Sequence, residues 1–192
     1  MRQLLWMVLA GIAGLSIARA DGALDRLLTA FDKDRLARFD PILAEALAEA
    51  RAGGEKEDVA LLDSLLEGKP LPLAEDFDPV GDWRCRIIKV GGTLPLTVYP
   101  WFKSRISDDG AGWVLEKLTG SQRTKGRFYT LSATRLAYAG AGFTAGERAP
   151  AYGENAGENQ VAIVERRARN RILLLFPAPQ RESKLDIMVL ER

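Results

Sequence analysis

The fold is decided by three short runs of sequence, GDWRCR at 81–86, WFKSRI at 101–106 and EKLTGSQRT at 116–124. In the first two runs, basic residues alternate with aromatic or small residues, and this two-residue period is typical of β-strands with one buried face. The third run closes on a polar turn around Gly120. From Gly81 onward the sequence therefore predicts strands.

Eight strands are predicted between Gly81 and the C-terminus, at about 82–90, 97–106, 112–119, 124–131, 134–140, 160–166, 171–176 and 185–191. Turn residues separate most of them, and the stretch 140–159, with five glycines, is predicted to be the one long loop. Short strands with local connections favour a closed antiparallel barrel, which leaves no exposed strand edge. A two-sheet β-sandwich is the alternative that the same strands permit.

The segment before these strands has a helical pattern from Ala23 to Leu66. Apolar residues at 24, 27, 28 and 31 lie on one helical face, Asp40-Pro41 is a favourable helix start, and Gly53-Gly54 is a favourable end. A further helix is predicted from about Glu55 to Leu66. Two to three helices of this length cannot bury their leucines alone, so we expect them to pack on the rest of the chain.

The three runs resemble the family of exported bacterial proteins known as domain of unknown function 4893. Its core motifs have the forms GDWRCR…IK…GG, WF-x-C-R-I and EKLTGSQRT-x-GR, and the resemblance extends from about Gly81 to the C-terminus. It implies no activity, because the family has none assigned. It also implies that relatives carry a cysteine at the position of Ser104, where they could form a bridge that this chain lacks.

Gly81-Asp82-Trp83 also resembles the G-x-W signature that opens the first strand of lipocalin-type barrels. In those barrels the tryptophan closes one end beneath an arginine from late in the chain, and the resemblance assigns that place to Arg181 or Arg192. The predicted fold class is therefore α+β, with an N-terminal helical segment packed on a lipocalin-like, eight-stranded antiparallel β-barrel.

The N-terminus has the pattern of a secretory signal peptide. Met1-Arg2 is followed by an apolar stretch too short for a spanning helix, and Ala18-Arg19-Ala20 is a suitable cleavage site. We predict a signal peptide at 1–20, a helical segment at 21–68, a linker at 69–80 and a barrel domain at 81–192. The mature chain, with no transmembrane span, is predicted to be periplasmic; an uncleaved membrane anchor is the alternative.

The net charge of +1 conceals an uneven distribution. Residues 21–79 contain 15 acidic and 7 basic side chains, whereas residues 80–192 contain 11 acidic and 18 basic ones. The two parts therefore carry about −8 and +7. Either they attract and pack against each other, or the basic part presents a face to an anionic partner.

The missing residue types narrow the chemistry. The chain has no histidine and one cysteine, which excludes Ser-His-Asp and Cys-His nucleophiles, histidine-ligated metals and thiolate clusters. No glycine loop fits a nucleotide fingerprint. We therefore predict no metal, no cofactor and no catalysis. The remaining enzymatic alternative is a hydrolase with a carboxylate pair, drawn from Asp109, Glu116, Glu165 and Asp186.

Cys85 is predicted to be a small buried residue on the strand face that it shares with Trp83 and Ile87, since a lone cysteine forms no internal bridge. A reactive or intermolecular thiol is the alternative. Nucleic acid is not an expected partner of an exported chain, whatever its basic residues.

The candidate ligand-binding residues are basic or polar side chains of the first strands and of the polar turn: Arg84, Arg86, Arg105, Ser121, Gln122, Arg123 and Arg127. Basic rows on neighbouring strands repel unless something anionic lies among them, and a turn rich in hydroxyl, amide and guanidinium groups suits a phosphate or carboxylate. The ordinary alternatives are pairing with nearby carboxylates, solvation, and a plain hairpin turn.

The sequence is compatible with two functions. The first is a non-catalytic binding module that holds a small anionic or lipid-like ligand in the barrel. The second is an interaction or inhibitor module whose basic barrel face docks on an acidic envelope protein or polymer. An open cavity would favour the first function and a solid core the second.

Overall fold

The computed structural model describes residues 18–73 and 77–192. Residues 1–17 of the predicted signal peptide lie outside this range. The helices are α1 (Ala18–Leu27), α2 (Ala30–Ala37), α3 (Phe39–Gly53) and α4 (Lys56–Leu66). None of the helices in the described ranges is long and apolar enough to cross a membrane.

The helical segment contains four helices rather than the two to three expected. The apolar stripe predicted as one helix is divided at Thr29, whose side chain accepts a hydrogen bond from the Asp32 N–H at 3.1 Å and so begins α2. Leu24 and Leu28 are buried, but Phe31, beyond the break, is 54% exposed. The predicted end of the long helix at Gly53 is confirmed.

Nine strands follow: β1 (Gly81–Gly92), β2 (Leu96–Val98), β3 (Phe102–Asp108), β4 (Trp113–Lys117), β5 (Gln122–Thr130), β6 (Arg135–Thr144), β7 (Asn159–Ala168), β8 (Arg171–Pro177) and β9 (Ser183–Glu191). All pairings are antiparallel, and β1 also pairs with β9 from Arg84↔Glu191 to Gly92↔Ser183. This pairing closes β1 and β3–β9 into an eight-stranded barrel, so the expected α+β barrel architecture is confirmed and the sandwich is not formed.

The extra strand comes from the predicted strand 97–106. It is interrupted between β2 and β3 by Tyr99-Pro100-Trp101, and proline cannot donate a ladder hydrogen bond. Both pieces still pair along β1, with Ile88↔Val98 in one and Cys85↔Phe102 in the other.

The predicted loop at 140–159 begins five residues later, at Ala145, because β6 continues to Thr144. Gly140 lies directly opposite Gly126 on β5, and a Cβ added at Gly140 would lie 2.6 Å from the Gly126 Cα. These two glycines therefore mark a close approach of strands rather than a turn. The Tyr138 side chain crosses this place, and its hydroxyl lies 2.5 Å from that of Thr124.

The two faces of the barrel wall bury different partners. Alternate side chains such as Trp83, Cys85 and Leu115 form the interior core. The opposite face of β1, β8 and β9, including Leu173 and Ile187, is covered by α3 and α4. The helices therefore brace the outside of the barrel.

One end of the barrel is closed by the chain that leads into β1. Trp83 donates from Nε1 to the Pro79 carbonyl at 2.8 Å, and the Arg192 guanidinium lies 4.4 Å from the centre of the Trp83 ring. Arg192 thus takes the place that the lipocalin resemblance assigns to a late arginine. Arg181 instead bonds Glu158 at 2.8 Å.

Candidate functional site

The other end of the barrel opens into a cavity of about 800 Å³. The interior faces of the strands form its walls, and the segment between β6 and β7 and the turn between β8 and β9 form its rim. This volume lies in the range of small-molecule sites.

The floor of the cavity is apolar. It consists of Ile87 on β1, Phe102 on β3, Phe176 on β8 and Met188 on β9. Ile87 and Met188 are cross-strand partners, so the floor is continuous across the β1–β9 closure of the barrel. Below it lies the interior core of the closed end.

Lys117 is a buried basic side chain that lines this cavity. It ends β4, two residues after Leu115, whose side chain belongs to the interior core. Lys117 is 4% exposed; its Nζ donates to the Gln122 carbonyl and lies 4.1 Å from the centre of the Phe102 ring. Burial lowers the pKa of Lys117. Within the described part of the chain, no carboxylate lies within 4 Å of this ammonium.

Arg123 stands at the rim beside Lys117. The turn after β4 places Gly120 at φ +89°, where a side chain would be strained, and brings the Arg123 Nε within 3.2 Å of the Gly120 carbonyl. Arg123, like Lys117, forms no salt bridge with the residues at 18–73 and 77–192. The two cations lie close enough for Arg123 to depress the pKa of Lys117 further.

The other basic side chains around the cavity have carboxylate partners, namely Arg35 with Asp32, Lys89 with Glu182, Arg148 with Glu154, and Arg181 with Glu158. Their charges are therefore largely compensated within the protein. The excess positive charge in the cavity is concentrated at Lys117 and Arg123, on the wall made by β4 and β5.

The wall made by β9 carries a different polar group, Asp186. Its cross-strand partners are Lys89 and Phe176, and its carboxylate accepts a hydrogen bond from the Ser183 hydroxyl at 2.5 Å. Burial raises the pKa of Asp186 to about 6. Lys89 lies near it, but the Lys89 ammonium is bonded to Glu182. Asp186 therefore lines the cavity without a dedicated cation.

The family becomes clear from a comparison with known proteins. The family described as a domain of unknown function (DUF4893) matches residues 25–190. The chain belongs to this family. No curated protein matches the chain, and no solved structure does. The matched range includes the helices as well as the barrel, so DUF4893 covers more of the chain than the three motif runs alone.

Three of the candidate ligand residues line the cavity of this DUF4893 protein. Ser121, Gln122 and Arg123 lie at its rim, next to Lys117. Gln122 also lines the cavity with its backbone carbonyl, which accepts a hydrogen bond from the Lys117 ammonium. The polar turn therefore belongs to the open end of the barrel.

The other four candidates lie away from the cavity, and three of them have carboxylate partners. Arg84 bonds Glu191 at 2.7 Å, Arg105 bonds Asp82 at 2.6 Å, and Arg127 bonds Asp109 at 2.5 Å. The hydrogen bond from Arg127 lowers the pKa of Asp109 to about 2.

Arg86 is the fourth, and it shares an aromatic neighbour with Arg84. Both guanidinium groups lie 4.3 Å from the Trp101 ring centre. Trp101 itself packs at the edge of the cluster that the helices cover, on the outer face of the barrel.

The carboxylates considered for hydrolysis are not brought together. Glu116 bonds Lys125, Glu165 bonds Arg135 and Arg167, and Asp109 bonds Arg127, whereas Asp186 lies in the cavity. Cys85 is buried among the interior core residues, and burial raises the pKa of its thiol. The ranges 18–73 and 77–192 contain no group of His, Cys, Asp or Glu that could hold a metal ion.

The candidate residues did not include Lys117 and Lys89, although the sequence carries a signal for both. Strand alternation places Lys117 on the face of Leu115, and Lys89 on the face of Cys85 and Ile87. A lysine that continues an apolar strand face points into a barrel interior, and this pattern singles out both residues.

Proposed function

We propose that this DUF4893 protein is a binding module whose open barrel end holds a small anionic molecule with an apolar part. The observation that carries the proposal is Lys117, a nearly fully buried lysine that lines a cavity and has no carboxylate within 4 Å in the described ranges. Arg123 at the rim supplies a second uncompensated charge.

A buried ammonium costs several kcal/mol relative to one in water unless it is paired. Lys117 has one carbonyl acceptor and the Phe102 ring, which together compensate only part of that cost. An incoming carboxylate, sulfate or phosphate group would supply the missing counter-charge. The site therefore favours anionic ligands.

The apolar floor indicates what the rest of such a ligand is like. Ile87, Phe102, Phe176 and Met188 offer an apolar surface in the same cavity as the charged wall. A lipid-like chain that covers this floor would gain about 25 cal/mol per Å² of apolar surface removed from water. A simple inorganic anion would leave the floor uncovered, so we propose an amphiphilic acid.

The alternative function, docking through a basic outer face, finds less support. Of the three arginines that would carry it, Arg84 and Arg105 already have carboxylate partners on the barrel itself, and Arg86 packs on the Trp101 ring. A partner would have to break two ion pairs before it could bind Arg84 and Arg105. We keep the periplasm as the proposed location, on the evidence of the N-terminal sequence pattern.

The experiment is a calorimetric titration of the protein with dodecanoate, at protein and ligand concentrations below the micelle threshold. We expect one molecule to bind per chain and Lys117→Met to weaken binding at least tenfold. Lys103→Met is the matched control, because Lys103 lies on the exposed face of β3 and should change the affinity less than twofold. Failure of the unmodified protein to bind dodecanoate or dodecyl sulfate would overturn the proposal. So would equal effects of the two substitutions.

A further inference from the structure

We propose that the ligand is an elongated zwitterion, with its acidic group at Lys117 and Arg123 and an amine at Asp186. This inference rests on the proposed function and makes its ligand class narrower. It comes from the placement of uncompensated polar groups on two opposite walls of one cavity.

The strand order puts β5 and β9 on opposite sides of the barrel. Around the closed ring β1-β3-β4-β5-β6-β7-β8-β9, four steps separate β5 from β9 in either direction. Arg123 is on β5 and Lys117 on the adjoining β4, whereas Asp186 is on β9. The two cations without carboxylate partners and the partly buried carboxyl group of Asp186 therefore lie on opposite sides of the cavity.

Asp186 has few of the partners that a partly buried carboxylate at a cavity wall needs. Its one hydrogen bond comes from the Ser183 hydroxyl, while the nearby Lys89 bonds Glu182. Together Lys89, Glu182 and Asp186 have one positive group and two acidic ones, so this wall has room for one more cation. A ligand ammonium would supply both the charge and the hydrogen-bond donors.

A strand midway between the two walls adds a second group that lacks a hydrogen-bond donor. The Gln160 Oε1 atom, on β7, is buried and has no hydrogen-bond partner in the part of the chain that the structure describes. Gln160 lines the same cavity. Buried amide oxygens are nearly always paired, so an unpaired one here indicates that a hydrogen-bond donor is missing in this cavity.

The apolar side chains of the floor lie between the two polar ends. Lys117 lies over Phe102, which pairs with Cys85, and Ile87 follows Cys85 on the same face of β1. Ile87 pairs with Met188, which shares a face of β9 with Asp186. A linear aliphatic chain could follow this path from the ammonium to the carboxyl group. Amino acids with a long apolar middle, or short apolar peptides, have this arrangement.

The experiment compares matched pairs of ligands at pH 7.5, where the ligand amines are protonated. Each ω-amino acid is titrated beside its parent fatty acid: 6-aminohexanoate with hexanoate, 8-aminooctanoate with octanoate, and 12-aminododecanoate with dodecanoate. The measured quantity is the ratio of the two affinities within a pair. We expect the amino acid to bind at least fivefold more tightly than its parent at one chain length or more.

Two variants assign this preference to a residue. Asp186→Asn, which is nearly isosteric, should reduce the affinity ratio of amino acid to parent acid to about one. Removing the negative charge of Asp186 changes the affinity for both ligands of a pair through their shared carboxylate, and this general effect cancels in the ratio. Glu147→Gln is the matched control. Glu147 is another carboxylate at this cavity, it accepts a hydrogen bond from the Thr144 N–H, and it forms no salt bridge with the described residues. It should leave the ratio unchanged.

The possible results separate this inference from the proposed function. If the parent acids bind in a Lys117-dependent way but no amino acid is preferred, the proposal of a zwitterionic ligand is wrong. The proposed anion-binding function is then still supported. A preference that survives in Asp186→Asn, or that Glu147→Gln removes equally, also overturns the zwitterion. If no acid of either series binds, both proposals fail.

Discussion

Asp186 is a residue whose position costs the protein stability. Its folded-state pKa of about 6 lies above the ordinary value of 3.8, because burial disfavours the ionised form. The folded protein therefore binds this proton more tightly than the unfolded chain does. Such a cost at a cavity wall is typical of a residue kept for binding rather than for folding.

We predict a specific pH dependence of stability from this residue. As the pH rises from about 4 to above 6, ionisation of Asp186 should lower the free energy of unfolding by up to about 3 kcal/mol. The Asp186→Asn variant has no carboxyl group to ionise at this position, so its free energy of unfolding does not fall for this reason. In urea unfolding, its stability relative to the unmodified protein should therefore rise by about 2 kcal/mol between pH 4.5 and pH 7.5.

Glu116→Gln provides the comparison, because Glu116 is partly exposed and paired with Lys125. Its stability difference from the unmodified protein should vary by less than about 1 kcal/mol over the same pH range. A pH-independent difference for Asp186→Asn would show that this carboxyl group is not desolvated.

The sequence predicted single residues with uneven success. Strand alternation correctly placed Cys85 in the interior beside Trp83, since the period of two needs only local information. Which arginines would be paired was not predictable. Arg84 finds its partner Glu191 across the β1–β9 closure, 107 residues away in sequence. Only the register of the closed barrel determines such contacts.

At the scale of elements, the junction between α2 and the barrel is built from buried polar groups. Asp32 and Arg35 are each 1% exposed and form an ion pair at 2.6 Å. Arg35 also donates to the Asn159 carbonyl at 3.0 Å, and Tyr152 donates to Asp32. Burial alone would raise the pKa of Asp32, but hydrogen bonds from Tyr152, Thr29 and Arg35 hold it below its ordinary value.

We predict that Arg35→Met destabilises the protein by about 3–5 kcal/mol, because it leaves the Asp32 carboxylate buried without its cation. Arg38→Met is the matched control on the same helical segment. Arg38 pairs with Asp34 at a similar distance, 2.6 Å, but both side chains are more than half exposed. Its loss should cost less than about 1 kcal/mol. Urea unfolding at pH 7 measures both, and similar costs for the two variants would contradict a buried network.

Element boundaries were predicted wrongly where a contact between strands determined them. Gly140 and Gly142 have the composition of a loop, yet both lie in β6. At Gly140 the reason is the Tyr138 side chain, whose hydroxyl bonds Thr124 and which occupies the space above Gly140 and Gly126. At Gly142 the Gln160 and Glu158 side chains lie close by. Glycine is common both in loops and where two strands approach closely, so the local sequence does not distinguish the two cases. The tertiary structure does.

At the scale of the whole molecule, the sequence predicted the two kinds of structure but not how they meet. The periodicity change near Gly81 separates helices from strands, and the count of short strands suggests a barrel. Where the helices pack was open, since a lid over the cavity or a brace on the wall would bury the same leucines. The helices pack on the wall because the residues that alternate with the interior ones on β1, β8 and β9 are also apolar, so this outer face needs to be covered.

This packing leads to a prediction about the barrel without its helices. Outer residues such as Leu173, Leu175, Leu185 and Ile187 are fully buried, largely under α3 and α4. Exposing several of them would cost on the order of 10 kcal/mol, at about 1.5–3 kcal/mol for each side chain. That is comparable with the whole stability of a typical domain. A chain that consists of residues 69–192 should therefore aggregate.

Size-exclusion chromatography with light scattering and thermal unfolding measures this outcome. The full chain should elute as a defined species with a cooperative transition, whereas residues 69–192 alone should form aggregates or lack the transition. Adding residues 18–68 as a separate peptide during refolding should restore the defined species, because the buried face needs the helices but not the covalent link. If residues 69–192 alone are well dispersed and melt within a few degrees of the full chain, the helices do not brace the barrel. Their leucines would then need a different explanation.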